Sequence, residues 1–395
     1  MFAHFPHIGR GVGGLLIAMA VFVAPSGALL AGSVAFEQTA LVSDGTDQTA
    51  VTTDPNLKNP WGMALAGPGI FWISNQRTGT STLYNAAGTP QPAGTPLVVN
   101  IPAARPAPAG PTGIIFNGSS DFVVTKDSKS GPALFVFVGL DGQITGWSPD
   151  VDPTNAVVGL NDSDRAIFTS LTNATNKGAN TLYAANGLAG TVDTYGPDFN
   201  PLAVGGSFSD PDVPQGLVPF NVRALGGRIY VTYAIPGPEA SNEPEGSGAV
   251  SVFDTDGNLL QHLIDGGPLA SPWGLALAPD GFGDFGGALL VGNFNEDGHI
   301  NAFDPDTGEH LGTLLQANGE PISNEELWSL QFGNGQGGAD PNTLFITAGI
   351  NDEEGGLFAR IEPGGQVIPL PNMLLVSPFV FAIAVAARRR FARRP

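Results

Sequence analysis

Six short apolar segments of the chain end at positions where polar side chains could bind a ligand or assist a reaction. The segments are FWISN, DFVVTK, TLYAAN, RIYVTY, ALLVGN and TLFITA, and their last residues are Asn75, Lys126, Asn186, Tyr233, Asn293 and Ala348. Asp127, Asn295 and Asn351 follow shortly after three of them. Amide, amine and phenol groups orient polar ligands through hydrogen bonds. The alternative is that Asn ends these segments because it tolerates turn geometry.

Standard catalytic constellations do not accompany these residues. The sequence has no Cys and no Gly-x-Ser-x-Gly motif, and the histidines after residue 35 (His262, His299 and His310) lack metal-ligand spacing. The stretches DTDGN, NFNEDG and DPDTGE resemble calcium loops in composition, but they lack the full ligand spacing and suit hairpin turns better. The residues therefore favour a protein that is not an enzyme, with Ca²⁺ as the one cofactor to consider.

The six segments are the second strands of six repeats. The first strands of these repeats start near Trp61, Thr112, Thr169, Asn221, Trp273 and Trp328, at intervals of 51, 57, 52, 52 and 55 residues. Alternating strands and Gly-rich turns in units of this length predict an all-β fold, a six-bladed β-propeller over residues 36–366. The strand AFEQTALVSD, from Ala35, is expected to complete the last blade and close the ring.

This architecture suggests where the polar residues meet. Equivalent positions of the blades converge on the central channel, where propellers usually bind ligands. The predicted channel site consists of Asn75, Lys126, Asp127, Asn186, Tyr233, Asn293 and Asn351. Trp61, Trp273 and Trp328 share one repeat position, and we expect them to wedge between blades as core residues.

Charge excludes one class of partner. The chain has 16 Lys+Arg against 36 Asp+Glu, and six of the arginines lie in the two terminal segments. The part between them carries 10 − 36 = −26 formal charges. Such a surface repels nucleic acid.

Both ends of the chain carry targeting patterns. Residues 1–35 combine Arg10, an apolar stretch and small-residue cleavage options, which is typical of a secretory signal peptide. Residues 367–395 contain Pro369-Leu370-Pro371, an apolar segment and the cluster Arg388, Arg389 and Arg390. The apolar segment, Met373 to Ala387, is shorter than the roughly 20 residues of a comfortable membrane span. We therefore expect transient insertion in the inner membrane, with the arginines on the cytoplasmic side.

These features resemble known families. The body, through stretches such as NPWGMAL, VPFNVRALGGRIYVTYA and LLVGNFNEDGHINAFD, resembles an uncharacterised family of exported bacterial proteins. The tail resembles PEP-CTERM sorting signals, although Leu370 replaces the usual central Glu. The resemblance implies cleavage by an exosortase-type processing enzyme in a Gram-negative bacterium, often alongside exopolysaccharide production.

A more distant resemblance is to six-bladed NHL-type propellers and calcium-dependent lactonases of the gluconolactonase group. The lactonases hold their metal with a Glu, two Asn and an Asp. This chain has Asn59 near the expected Glu and Thr112 in place of a ligating Asn.

Together these observations predict an exported protein of the cell surface or extracellular matrix that binds a polysaccharide or small molecule without converting it. The alternative is a channel-site hydrolase of lactonase type, with or without a metal, built on Asn75, Asn186 and Asn293.

Overall fold

The computed structural model describes residues 33–46, 48–105 and 110–367, which form 26 strands and two 3-10 turns, Pro238–Asn242 and Gly283–Phe285. The predicted signal peptide, up to residue 32, and the predicted sorting tail, beyond residue 367, lie outside the described residues. Within the described ranges, none of the helical segments has the length and apolar character needed to cross a membrane.

The chain begins with β1 (Val34–Ser43) and β2 (Thr52–Thr53). The next strands are β3 (Pro60–Ala66), β4 (Ile70–Asn75), β5 (Thr80–Asn85), β6 (Val98–Asn100), β7 (Pro111–Phe116), β8 (Val123–Lys126), β9 (Lys129–Pro132), β10 (Phe135–Gly139), β11 (Gln143–Trp147), β12 (Val157–Asn161), β13 (Phe168–Asn176), β14 (Ala179–Asn186) and β15 (Thr191–Tyr195). The remaining strands are β16 (Val218–Leu225), β17 (Arg228–Ala234), β18 (Ala249–Phe253), β19 (Leu259–Asp265), β20 (Pro272–Leu277), β21 (Leu289–Asn293), β22 (Ile300–Phe303), β23 (His310–Thr313), β24 (Leu327–Phe332), β25 (Leu344–Ala348) and β26 (Leu357–Gln366).

Apart from β8 and β9, these strands form six blades, antiparallel except for the β1–β2 pair, which confirms the predicted all-β six-bladed propeller. Blades 1 to 5 are the sheets β3-β4-β5-β6, β7-β10-β11-β12, β13-β14-β15, β16-β17-β18-β19 and β20-β21-β22-β23. Blade 6 is β24-β25-β26-β1-β2, so the N-terminal β1 lies beside the C-terminal β26. The ring is thus closed by β1, as the sequence predicts, because this strand supplies the partner that β26 would otherwise lack.

Two details differ from the sequence-based expectation. The second strand of blade 2 is β10, whereas Asp121–Lys126 had the expected pattern; β8 instead pairs with β9 in a separate hairpin. Blade 3 has three strands, one fewer than each of blades 1, 2, 4 and 5. The hairpin has the same apolar alternation as a blade strand, which explains the wrong prediction.

The core is divided between the blades and the channel. Six apolar clusters contain residues from adjacent blades, such as Trp72 of blade 1, which stacks on Phe135 of blade 2 at 4.0 Å between ring centroids. A seventh cluster includes Trp61, Trp273 and Trp328. The expectation that these three tryptophans wedge between blades is therefore wrong, because they meet one another at the centre of the ring.

Close approach of the inner strands explains the Pro-x-Gly pattern that begins three of them. A Cβ atom on Gly62 would lie 2.3 Å from the Thr112 carbonyl oxygen, and one on Gly113 would lie 2.3 Å from the Leu171 nitrogen. Side chains link the strands elsewhere: Thr112 Oγ1 donates to the Phe168 carbonyl at 2.8 Å, and Ser329 Oγ donates to the Trp61 carbonyl at 2.8 Å. These contacts hold the channel wall together.

Candidate functional site

The channel has two chemically different ends. We call the end where the inner strands begin the tryptophan end, after Trp61, Trp273 and Trp328. We call the end where they finish the arginine end, after Arg223. Each end is built from residues of several blades, so each is a candidate site that only the closed ring forms.

Aromatic side chains pack together at the tryptophan end. Trp61 stacks on Trp328 with ring centroids 3.6 Å apart, and Trp273 meets Trp61 edge-on at 6.4 Å. Phe294 stacks on Trp328 at 4.1 Å, and Phe220 lies 5.7 Å from Phe294. All five rings are buried, so this aromatic plug occupies the end of the channel where the predicted polar site was expected.

The residues just before the plug adopt an unusual backbone conformation. Asn59, Ser271 and Glu326 each come two residues before a plug tryptophan, and their φ angles are 44°, 46° and 53°. Positive φ is uncommon for residues other than Gly, and its clustering is a pointer to functional or strained sites. Asn59 is fixed on both sides: its Oδ1 accepts from Trp328 Nε1 at 2.8 Å, and its Nδ2 donates to Gln76 Oε1 at 3.0 Å.

Glu326 is the most perturbed acid at this end. Glu326 is only 5% exposed to solvent. Its carboxylate oxygen Oε2 has no hydrogen-bond partner among the described residues. Burial, with the nearby charges of Glu353 and Glu325, raises the pKa of the Glu326 carboxyl to about 8. Burial also raises the pKa of Glu353. A carboxyl that keeps its proton near neutral pH can donate a hydrogen bond or a proton, which marks it as a candidate functional group.

Three of the four predicted asparagines, Asn75, Asn186 and Asn293, use their amide nitrogens in hydrogen bonds to nearby protein groups. Asn75 Nδ2 donates to the hydroxyls of Thr80 and Thr82 at 3.2 and 3.0 Å. Asn186 Nδ2 donates to Asp193 Oδ2 at 2.8 Å, while Asn293 Nδ2 donates to the Pro268 carbonyl at 2.8 Å. All three are buried. These hydrogen bonds agree with the alternative that the asparagines have a structural role at the strand ends. A ligand-binding role for them stays a prediction.

The other predicted residues lie apart from one another. Lys126 and Asp127 belong to the β8–β9 hairpin, where Lys126 Nζ pairs with Asp152 Oδ2 at 2.6 Å. Tyr233 is buried in the cluster that joins blades 3 and 4. Asn351 follows β25, and its backbone nitrogen donates to Glu325 Oε2 at 2.9 Å. The structure therefore places Asn351 close to the acidic group before the plug, together with Asn295, whose backbone carbonyl accepts from the Glu326 nitrogen at 2.9 Å.

The positions that correspond to lactonase metal ligands do not suit an ion. Asn59 is committed to Gln76 and Trp328, and the Thr112 hydroxyl donates to a backbone carbonyl. Over the described ranges, no three His, Asp or Glu side chains are grouped so that they could hold a metal ion. The acidic stretches form turns instead: Asp254 Oδ1 accepts from the nitrogens of Asp256 and Asn258, both at 2.9 Å.

At the arginine end, a cavity of about 200 Å³ opens among five of the six inner strands. Arg223 of β16 and Gln331 of β24 contribute polar groups, and Arg223 Nη2 donates to Gln331 Oε1. Leu65 and Phe116 also line the cavity, but most of the surface exposed in it is polar. Neither Glu326 nor Arg223 was among the predicted site residues. The sequence signal for Arg223 was a charged residue inside the apolar inner strand FNVRAL. The signal for Glu326 was an acid at the repeat position that Asn59 and Ser271 occupy in other blades.

Comparison with known structures supports the fold. The chain superposes on a streptogramin B lyase with a TM-score of 0.50 and 10% identity, covering 83% of this chain and 98% of the lyase. It superposes equally well, at 0.50 and 11% identity, on a Bacteroides thetaiotaomicron protein of unknown function, covering 84% of this chain and 77% of that one. At these identities the likeness concerns the fold alone.

Sequence comparison gives nearer relatives. No protein-family model matches the chain. Uncharacterized protein R648 of Acanthamoeba polyphaga mimivirus is 32% identical over 331 residues, covering 81% of this chain and 78% of the relative. Uncharacterized protein L690 of the same virus is 31% identical over 284 residues, covering 69% and 72%. This chain belongs to the family of these two uncharacterized mimivirus proteins and has a six-bladed β-propeller fold.

Proposed function

We propose that this protein is an exported, cell-surface or matrix-associated propeller that binds a polysaccharide or small molecule without converting it. The observation that carries the proposal is the aromatic plug, because it fills the tryptophan end with side chains that have no acid–base or nucleophilic chemistry. The amide nitrogens of Asn75, Asn186 and Asn293 donate to neighbouring protein groups instead of facing an open site. Export rests on the terminal sequence patterns, with an exosortase-type enzyme of a Gram-negative bacterium as the proposed processing partner.

The test is a glycan and metabolite binding screen on residues 33–367, with and without calcium. We expect at least one ligand that binds reversibly and is recovered unchanged. Recovery of a chemically altered ligand would contradict the non-catalytic part of the proposal. Absence of binding across the screen would contradict the binding function itself.

A hydrolase of lactonase type is the second candidate, and Glu326 is the observation that favours it. A buried carboxyl with a pKa near 8 has the protonation behaviour of a general acid. The candidate predicts lactone hydrolysis that falls by about 10²-fold or more in Glu326→Gln. Glu320→Gln, a change at an exposed glutamate, is the matched control. Equal rates of lactone hydrolysis in the original protein, Glu326→Gln and Glu320→Gln would contradict the hydrolase candidate and leave only the binding function.

A further inference from the structure

We propose that the cavity at the arginine end binds a single sugar acid, with the carboxylate of the sugar on Arg223 and its hydroxyls on the polar lining that includes Asn173. This inference rests on the binding function proposed above, and it names the site and the ligand class. It depends on three features of the cavity: a cation without an acidic partner, free hydrogen-bond donors on that cation, and a lining whose exposed surface is mainly polar.

The first feature is the absence of a carboxylate beside Arg223. Six other basic side chains of the described part form ion pairs with acids: Lys58, Arg77, Lys126, Arg165, Lys177 and Arg360. Arg223 has no acidic partner within the described residues, and no Asp or Glu lines the cavity. Keeping a partly buried cation unpaired costs free energy unless something compensates it. A single cation is matched by a ligand with a single negative charge.

The second feature is the hydrogen bonding of the guanidinium group. It reaches from β16 of blade 4 to β24 of blade 6, where its one protein partner in the described ranges is Gln331 Oε1. Gln331 Nε2 is itself bound to the Phe332 carbonyl at 2.9 Å, so Gln331 orients Arg223 without neutralising it. A guanidinium has five N–H donors in a planar fork that matches the two oxygens of a carboxylate. The donors that Gln331 leaves free can therefore bind the carboxylate of a ligand.

The third feature is the polar character of the exposed lining. The side chains of Asn173, Arg223 and Gln331 belong to the lining, and most of the surface exposed in the cavity is polar. Asn173 lies on β13, which is held beside β16 by a hydrogen bond from the Ala224 nitrogen to Thr172 Oγ1 at 3.1 Å. An amide both donates to and accepts from hydroxyl groups. The lining therefore suits the hydroxyls of a sugar, whereas an alkyl chain would leave its polar groups without partners.

The size of the cavity limits the ligand to one sugar unit. Its volume of about 200 Å³ is below the roughly 300–1,000 Å³ of sites that hold drug-sized ligands. The ligand class is thus a monosaccharide that carries one carboxylate. D-glucuronate, a sugar ring with one carboxylate and several hydroxyls, is a ligand of this kind.

The experiment is calorimetric titration of the full chain with D-glucuronate at an ionic strength of about 0.15 M. Salt at this concentration screens the repulsion between the ligand and distant acidic residues, because the Debye length is about 8 Å. Glucose lacks the negative charge, and cyclohexanecarboxylate keeps the charge but lacks the hydroxyls. We expect glucuronate to bind at least about tenfold more tightly than either. Equal binding of glucose, equal binding of cyclohexanecarboxylate, or no binding of glucuronate would overturn the inference.

Variants of the charged group localise the binding. Arg223→Met should weaken glucuronate binding at least about tenfold, and Arg223→Lys should restore part of it. Arg228→Met, at an exposed arginine on the neighbouring strand β17, should leave binding unchanged. Gln331→Glu supplies an internal carboxylate to Arg223 and should abolish binding even where Arg223→Met fails to fold. Unchanged affinity in Gln331→Glu, or in a folded Arg223→Met, would refute the site.

Asn173→Ala tests the hydroxyl contacts separately from the charge. It should weaken glucuronate binding by about threefold or more, as expected for the loss of neutral hydrogen bonds. The weaker binding of cyclohexanecarboxylate should stay the same, because this ligand has no hydroxyls. Unchanged glucuronate binding, or an equal loss for both ligands, would refute the contact between the sugar hydroxyls and Asn173.

The outcome is separable from that of the proposed function. If other ligands bind in the glycan and metabolite screen but glucuronate does not bind, the sugar-acid inference fails and the binding function stands. If no ligand of either kind binds, both fail.

Discussion

Glu326 is the residue whose protonation should affect the stability of the molecule most clearly. Its carboxyl is buried beside Glu353 and Glu325, and its pKa is about 8 in the folded protein. In the unfolded chain a glutamate has a pKa of about 4.3. Between these values the folded state binds a proton that the unfolded state has released. Stability contributed by this proton is therefore present in full at low pH and is lost as the pH rises through 8.

This difference gives a prediction for the pH dependence of unfolding. Glu326→Gln keeps a neutral side chain at every pH, so the variant should lose less stability than the original protein between pH 5 and pH 8.5. The expected difference is on the order of 2–5 kcal/mol, from roughly 1.4 kcal/mol for each unit of pKa shift. Chemical denaturation at the two pH values measures it. Glu320→Gln, at an exposed position, should keep the original slope. An identical slope in Glu326→Gln would show that this carboxyl is not perturbed.

Among the secondary-structure elements, β1 has the greatest effect on closure. It pairs with β26 from Val34 to Ser43, and it places Phe36, Leu41 and Val42 in the cores on either side of blade 6. These side chains are at most 2% exposed. Without β1, the edge of β26 and the apolar surfaces around it would face solvent, and exposed strand edges favour aggregation.

We therefore predict that a chain beginning at Asp44 loses its cooperative thermal transition, whereas one beginning at Ser33 keeps it. Loss of three large buried side chains costs roughly 6–12 kcal/mol, which is comparable with the total stability of about 5–15 kcal/mol of a typical domain. Differential scanning calorimetry and light scattering are the measurements. A cooperative transition at the same temperature in both chains would mean that β1 is dispensable for closure.

The limits of sequence-based prediction are also seen at this scale. The repeat interval and strand alternation were enough to predict the blades and the closing role of β1, because each blade is a local unit with one sequence pattern. The β8–β9 hairpin was mistaken for a blade strand because Phe122 and Val124 alternate with exposed residues as a blade strand would. The properties of Glu326 and Arg223 depend instead on neighbours from distant segments, such as Glu353 and Gln331, which no local pattern brings together.

For the whole molecule, the proposed destination is set by residues that flank the propeller. The body repels anionic surfaces through its formal charge of −26, so retention at the cell surface requires either a ligand there or a terminal anchor. The proposed tail contains both a Pro-Leu-Pro motif and an apolar segment, and these two parts can be tested separately.

Deletion of residues 369–395 should release the protein into the medium, as measured by fractionation of expressing cells. Replacing Pro369 and Pro371 with Ala removes the motif but keeps the apolar segment, so this variant should stay uncleaved in the membrane fraction. Unchanged fractionation after the deletion would count against the sorting tail. Normal cleavage of the double Ala variant would show that the motif is not what the processing enzyme recognises.

The stacked indoles of the aromatic plug come from the first and the last blade, which lie side by side in the closed ring. Trp61 belongs to blade 1 and Trp328 to blade 6, and their centroids are 3.6 Å apart. Chromophores at this separation couple electronically, and the coupling disappears as soon as the two blades part. The near-ultraviolet circular dichroism of the protein should therefore act as an intrinsic optical gauge of ring opening, without any attached label. A separation of blade 1 from blade 6 that leaves the individual sheets intact would change this signal while the far-ultraviolet spectrum stays the same.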